Sequence, residues 1–203
     1  MQERAKATRR SLLEAAAQLF AEQGYSATSV NDISARSGRT SGAVYFHYTC
    51  KEGIAVAVVE ARFATWSQLT APYEDETVPP LERLVALSYD IAHALTQDTV
   101  TRAGARLWAE RTTIKATLPD PFALWTAAAT RLLAQARLAG HLNEHIRPAR
   151  TARALVRAFF GLCTLTEALD GTTVLDDRLT DWWHLTLPSL RREAARENLP
   201  AGR

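Results

Sequence analysis

Apolar residues return along most of this chain at helical spacing. Leu12, Ala16, Leu19 and Phe20 fall at i, i+4, i+7 and i+8, which predicts one apolar helix face, closed at Gly24. Ser29 and Asp32 have the spacing of a capping box ahead of Val30 and Ile33, and Gly38 ends that short helix. Thr40 is placed to cap a third, very short helix reaching about Tyr45. A fourth begins at Lys51 and runs through IAVAVVEARFATW. APYEDETVPP, residues 71–80, reads as a linker with three prolines and an acidic patch. Helical blocks follow at about 81–97, 100–115, 121–139, 150–170 and 176–197, separated by KATLPDP, AGHLNEHIRP and LDGTTVLDD. No stretch alternates as a strand does, and nothing repeats. The pattern predicts an all-α chain of about nine helices, with a three-helix head over residues 1–50 and a larger helical domain over 51–203.

The second and third helices are too short to be stable alone and depend on packing against one another. Two short helices across the tight turn SGRT have the form of a helix-turn-helix, whose second helix enters the DNA major groove. That placement explains the small residues Thr40, Ser41 and Gly42, since bulk there would hold the helix off the bases. Val44 and Phe46 are expected to pack inward, with Tyr45 and His47 offering polar tips to phosphates. Lys51, at the start of the fourth helix, is expected at a phosphate beside the free N–H groups there. The plain alternative is that Tyr45 and Tyr48 simply complete a core.

Charge changes the picture modestly. The net charge of +2 divides unevenly, with seven Lys and Arg against four Asp and Glu in residues 1–51 and 17 against 18 in the remainder. Arg4, Lys6, Arg9 and Arg10 form a basic N-terminal arm suited to a polyanion. With 47% apolar and 23% charged residues the composition is that of a globular chain. No apolar run reaches membrane-spanning length, and the N-terminus lacks a signal-peptide pattern. Cys50 and Cys163 are far apart and are expected as reduced thiols in a cytoplasm.

The stretch GYSATSVNDISARSGRTSGAVYFHYTCKEGI resembles the DNA-binding head of the TetR family of bacterial repressors. The match lies in the Gly-Tyr after the first helix, the hydroxyl residues before the second, and the run G-A-V-Y-F-H-Y followed by K-E. The resemblance implies that Thr40, Ser41, Gly42 and Tyr45 face bases. It further implies that Tyr45, His47 and Lys51 clamp phosphate, with Asn31 near the backbone or a base of double-stranded operator DNA.

The larger half suggests pairing and sensing. Leu155, Phe159, Leu162 and Thr166 recur at helical spacing, and the last helix carries Trp182, Trp183, Leu187 and Leu190. Such faces suit an interior, but TetR-like proteins pair through their last two long helices. The resemblance therefore implies a homodimer with Phe159, Leu162, Trp182, Trp183, Leu187 and Leu190 at the interface. Pro188 is expected to kink that helix.

RAGARL and LPDPFALW are similar to the γ-butyrolactone-receptor branch of the family, which implies a ligand pocket lined by Trp125. A threonine on the next-to-last long helix, Thr164 or Thr166, would bond the ligand, and Phe63, Trp66, Leu107 and Trp108 would add apolar walls. Arg62 either meets an anionic ligand such as a furan carboxylic acid or points outward as an exposed charge. Bound ligand is expected to swing the helix 51–70 and so move the heads off the operator. The combined expectation is a repressor released by a γ-butyrolactone or furan, or alternatively one sensing antibiotics or other apolar compounds. It calls for no cofactor.

One enzyme-like motif stands apart. HLNEH, His141 to His145, matches H-x-x-E-H, a pattern of some zinc peptidases. That chemistry needs both histidines on one helical face, and here the motif lies between Gly140 and Pro148, the composition of a connection. No Gly-rich phosphate loop or nucleophile elbow is present, so the chain is not read as an enzyme.

Overall fold

The computed structural model describes residues 2–64, 66–120 and 122–192, giving the backbone alone at 62–64 and 67. Among the described residues there are ten α-helices and no strand, apart from one isolated antiparallel bridge between Leu142 and Arg191. The chain divides into two compact units, Met1–Pro72 with Asp90–Ala123 and Tyr73–Tyr89 with Leu124–Arg203.

The first unit holds α1 (Gln2–Ala27), α2 (Val30–Ser37), α3 (Ser41–Tyr48), α4 (Lys51–Ala64) and α5 (Trp66–Thr70). It also takes the end of α6 (Pro80–Gln97) and all of α7 (Thr99–Ala109). Residues expected as a basic arm are the opening turns of α1. The face predicted for this helix is the buried one: Leu12, Ala16 and Phe20 are fully enclosed and Leu19 nearly so. Removing each such large apolar side chain from water contributes about 1.5–3 kcal/mol. The helix does not stop at Gly24. It breaks there, at φ 84° and ψ 178°, and continues to Ala27.

The capping box forms as the sequence predicts. Asp32 N–H donates to Ser29 Oγ at 3.1 Å, and Ser29 N–H donates to Asp32 Oδ2 at 2.8 Å. Those bonds hold the Asp32 carboxyl below its ordinary range, the Ser29 hydroxyl contributing most. Thr40 caps α3 by accepting from Ala43 N–H at 3.2 Å. α3 extends three residues beyond its expected end, to Tyr48.

Ile33, Val44 and Tyr48 of the head share one core with Ile54, Val58 and Val59 of α4, Ala103 and Leu107 of α7, and Ile114 and Leu118 beyond it. α4 and α7 supply the apolar faces that close the head's core. Gly53 lets α4 start where it does, since a Cβ there would collide with the Tyr48 carbonyl oxygen.

The second unit packs the start of α6 with α8 (Ala123–Leu138), α9 (Pro148–Leu169) and α10 (Leu175–Leu190). α10 ends two residues after Pro188, short of the expected residue 197. Phe159, Leu179, Trp183 and Leu190 are buried within this unit. Trp183 Nε1 donates to Ser88 Oγ at 2.8 Å, so its polar atom is satisfied inside.

Candidate nucleic-acid interface and ligand site

α3 presents a polar, small-residue tip. Thr40 and Gly42 are exposed, Ser41 and His47 half-buried, and Tyr45 is 55% exposed. Ser41 Oγ donates to Asn31 Oδ1 at 2.9 Å, which ties the tip of α3 to α2. None of the five residues expected at DNA on α3 and its cap is buried, and Asn31 lies beside Ser41. Phe46 corrects the sequence reading: it is 81% exposed, edge-on to His47 at 5.0 Å, and only Val44 points inward. Tyr48, by contrast, is core. Its hydroxyl donates to the Arg9 carbonyl at 2.8 Å, and burial raises its pKa above the usual phenol range.

Lys51 is tied into the head. Its ammonium donates to the carbonyls of Tyr25 at 3.0 Å and Thr28 at 2.9 Å and sits 3.9 Å from the Tyr25 ring centre. Two of its three donors are spent on the α1–α2 corner, leaving one for a phosphate. Tyr25 donates its hydroxyl to Glu52 Oε1 at 2.9 Å, and burial raises its pKa further than the Glu52 charge does. Its own backbone N–H and the Tyr25 hydroxyl hold the Glu52 carboxyl below its ordinary range.

Charges around the head are partly spent. Arg10 pairs with Glu14 at 2.7 Å and Arg36 with Glu22 at 3.0 Å. Among the described residues Arg4, Arg9 and Arg39 have no carboxylate partner, and all three are exposed. Arg39 immediately precedes the α3 cap and was passed over in the sequence. Its signal was a cation between Gly38 and Thr40, at the turn itself.

The residues expected at a ligand are divided between the two units and are described unit by unit. In the first unit Trp66 lines a cavity of about 270 Å³ with Gln68, Leu69, Ile91, Ala94, Asp98 and Thr101. Leu107 lies instead in the core behind the head and is fully enclosed there. Trp108 is half-buried, edge-on to Phe122 at 6.0 Å, with the Arg111 guanidinium 5.1 Å from its ring centre. The side chains of Arg62 and Phe63 lie outside the described residues.

In the second unit Trp125 is 2% exposed, edge-on to Phe159 at 4.2 Å and to Phe160 at 5.4 Å. Its indole N–H is buried without a hydrogen-bond partner. A buried donor left unpaired costs about 1–3 kcal/mol. The two threonines separate cleanly: Thr166 is buried, two turns along α9 from Phe159, and Thr164 is exposed. Burial in the same helix pushes the Cys163 thiol up to about 12, so it stays protonated.

Of the six residues expected at a partner, Phe159, Trp183 and Leu190 are buried within the single chain. They pack the second unit's own core and have little exposed surface. Leu162, Trp182 and Leu187 remain half-exposed. Leu165, Leu169 and Leu185, which the sequence reading omitted, are 60%, 78% and 81% exposed on α9 and α10.

His141 and His145 lie in the connection between α8 and α9, both exposed, rather than on a helix face. Among the described residues no group of three or more His, Cys, Asp or Glu is placed to hold a metal ion. No helix among them is long and apolar enough to cross a membrane.

Comparison with known proteins matches residues 12–58 to bacterial regulatory proteins of the tetR family, and residues 78–191 to a tetracyclin repressor-like C-terminal domain. An A-factor receptor protein of Streptomyces griseus is 33% identical over 189 residues, 93% of this chain; the match spans 66% of that protein's length. A solved structure concerned with control of antibiotic production by bacterial hormones superposes with a TM-score of 0.84. It is 39% identical, covering 92% of this chain and 98% of the other. A γ-butyrolactone receptor structure gives 0.74 at 29% identity, covering 94% and 90%.

Proposed function

We propose that this chain, which belongs to the TetR family of bacterial regulatory proteins, binds a palindromic operator as a homodimer and is released from it by a small γ-butyrolactone or furan-type signal. The observation that carries the sensing half is the orphan indole N–H of Trp125 among Phe159 and Phe160. A buried, unsatisfied donor flanked by aromatic rings suits a compact molecule bearing a carbonyl or carboxylate acceptor and an alkyl tail. The names of the A-factor and γ-butyrolactone receptors support the same ligand class.

For the DNA half, the exposed tip from Thr40 to His47 has the size and polarity for base edges and phosphates. One head reads only half a palindrome. Two heads about 34–36 Å apart, or a multiple of that, read successive turns. The exposed leucines Leu165, Leu169 and Leu185, with Leu162, Trp182 and Leu187 beside them, favour α9 and α10 as the pairing face. Ligand acts by binding the DNA-incompetent state more tightly, and each tenfold loss of operator affinity needs about 1.4 kcal/mol of that preference.

The test is a gel shift on the promoter of the protein's own gene, titrated with synthetic γ-butyrolactones, furan carboxylic acids and an unrelated antibiotic panel. Loss of the shifted band with a lactone or furan alone is the expected result. Release by the antibiotics and not by either of these points to a different ligand class.

A further inference from the structure

The break in α1 is held by another helix. In an unbroken helix the Tyr25 N–H would donate to the Ala21 carbonyl four residues back. Here both halves of that bond go to the C-terminal end of α7 and its capping residue. The Ala21 carbonyl accepts from Arg106 Nη1 at 2.9 Å, and the Glu22 carbonyl accepts from the same nitrogen at 3.0 Å. The Tyr25 N–H donates to Glu110 Oε2 at 2.8 Å. Arg106, in the last turn of α7, and Glu110, the residue that caps its C-terminal end, are themselves paired, Nε to Oε1 at 3.2 Å.

The charges are matched to the groups they meet, a cation on freed carbonyls and an anion on a freed N–H, as orphan groups at a helix break require. Gly24 is part of the fit. A Cβ there would collide with Glu110 Oε1 and come within 3.1 Å of Arg106 Nε. The other end of α7 supplies Thr101, with its capping residue Asp98, to the cavity that Trp66 lines. Thr101 and Arg106 are five residues apart, about 7.5 Å along one rigid helix.

We propose that Arg106 and Glu110 are positioning residues for the DNA-binding head: their ion pair splices the break at Gly24, sets the angle at which α2 and α3 leave α1, and transmits any shift of α7 to them. This rests on the reading that the head binds an operator. A slide of α7 would withdraw both caps at once, leaving a backbone donor and two acceptors in need of new partners. Because each cap has its own sign, exchanging the two residues preserves the ion pair and destroys the splice.

The experiment uses the full chain and a duplex that the wild-type protein selects from a random pool. Glu110→Leu and the exchanged pair Arg106→Glu/Glu110→Arg are expected to lose about tenfold or more in affinity, while Glu110→Gln, which keeps an acceptor oxygen, stays within about threefold. Hydrogen exchange at the Tyr25 amide is read alongside and should quicken in Glu110→Leu but not in Glu110→Gln. If the exchanged pair does not fold, the Leu and Gln variants decide the matter. Wild-type affinity in either Glu110→Leu or the exchanged pair, or equal Tyr25 exchange in the Leu and Gln variants, overturns the proposal while leaving the operator reading intact. A wild-type protein that selects no duplex brings down the operator reading, and this proposal with it.

Discussion

The Lys51 ammonium sits over the Tyr25 ring at 3.9 Å and donates to the Tyr25 and Thr28 carbonyls, so the residue that opens α4 also fastens the corner between α1 and α2. Charged hydrogen bonds contribute about 1.5–3 kcal/mol each in favourable settings. Lys51→Met, which keeps the stem and loses the donors, should therefore cost about 2 kcal/mol of stability in urea unfolding. It should also weaken DNA binding. A variant that loses affinity with unchanged stability would instead make Lys51 a phosphate contact and nothing more.

Phe46 and Ile33 lie close in sequence and differ in burial, 81% and 0% exposed. Ile33→Ala should cost about 2–5 kcal/mol of stability, by lost transfer energy plus a cavity. Phe46→Ala should stay within about 0.5 kcal/mol of wild type and reduce duplex affinity, because its ring lies on the surface beside His47. Thermal unfolding of both variants, with anisotropy on a bound duplex, separates the two roles. A Phe46→Ala protein that melts early would return the ring to the core.

That contrast marks how far the sequence could be read. The capping box of Ser29 and Asp32, the buried face of α1 and the short α2–α3 pair follow from local spacing, and all are present. Phe46 was misread because the apolar letters of SGAVYFHY do not reveal which ones share a face. Val44 and Tyr48 are one turn apart and both buried, which puts Phe46 about 200° from Val44 around the helix. Lys51 was read from its position at a helix start, whereas its partners are carbonyls 23 and 26 residues earlier, a tertiary fact. Arg106 and Glu110 show only as an i, i+4 pair, and nothing local reveals that Gly24 leaves room for them. Thr166 was separated from Thr164 by packing alone.

Thr49 takes φ 64° and ψ −45° at the turn from α3 into α4, a conformation that a β-branched residue adopts at a cost. Thr49→Gly should raise stability by about 1 kcal/mol, the relieved strain exceeding the added freedom of the unfolded chain. Unchanged or lower stability on replacement by glycine would mean that the Thr49 side chain makes compensating contacts.

Trp125→Phe removes the unpaired indole N–H and keeps an aromatic ring among Phe159 and Phe160. It should leave operator binding unchanged and raise the inducer concentration needed for release by about tenfold, the worth of one hydrogen bond in a dry site. Trp183→Phe serves as the control. Its N–H is spent on Ser88, so it should lower stability and leave the inducer concentration alone. Identical inducer response in Trp125→Phe and wild type would remove Trp125 from the ligand's contacts.

The measurement that bears most directly on the central claim is the affinity of the purified protein for a duplex carrying its own promoter, by anisotropy at several salt concentrations. The wild type and a Ser41→Ala/Tyr45→Ala variant are compared at matched thermal stability. The expected result is binding that weakens steeply with salt, with a loss in the variant of about tenfold or more, as removal of groove contacts requires. A wild-type protein that ignores the duplex at low salt, or a variant that binds as tightly as wild type at every salt concentration, would contradict the assignment of the Thr40–His47 tip as the DNA-reading surface.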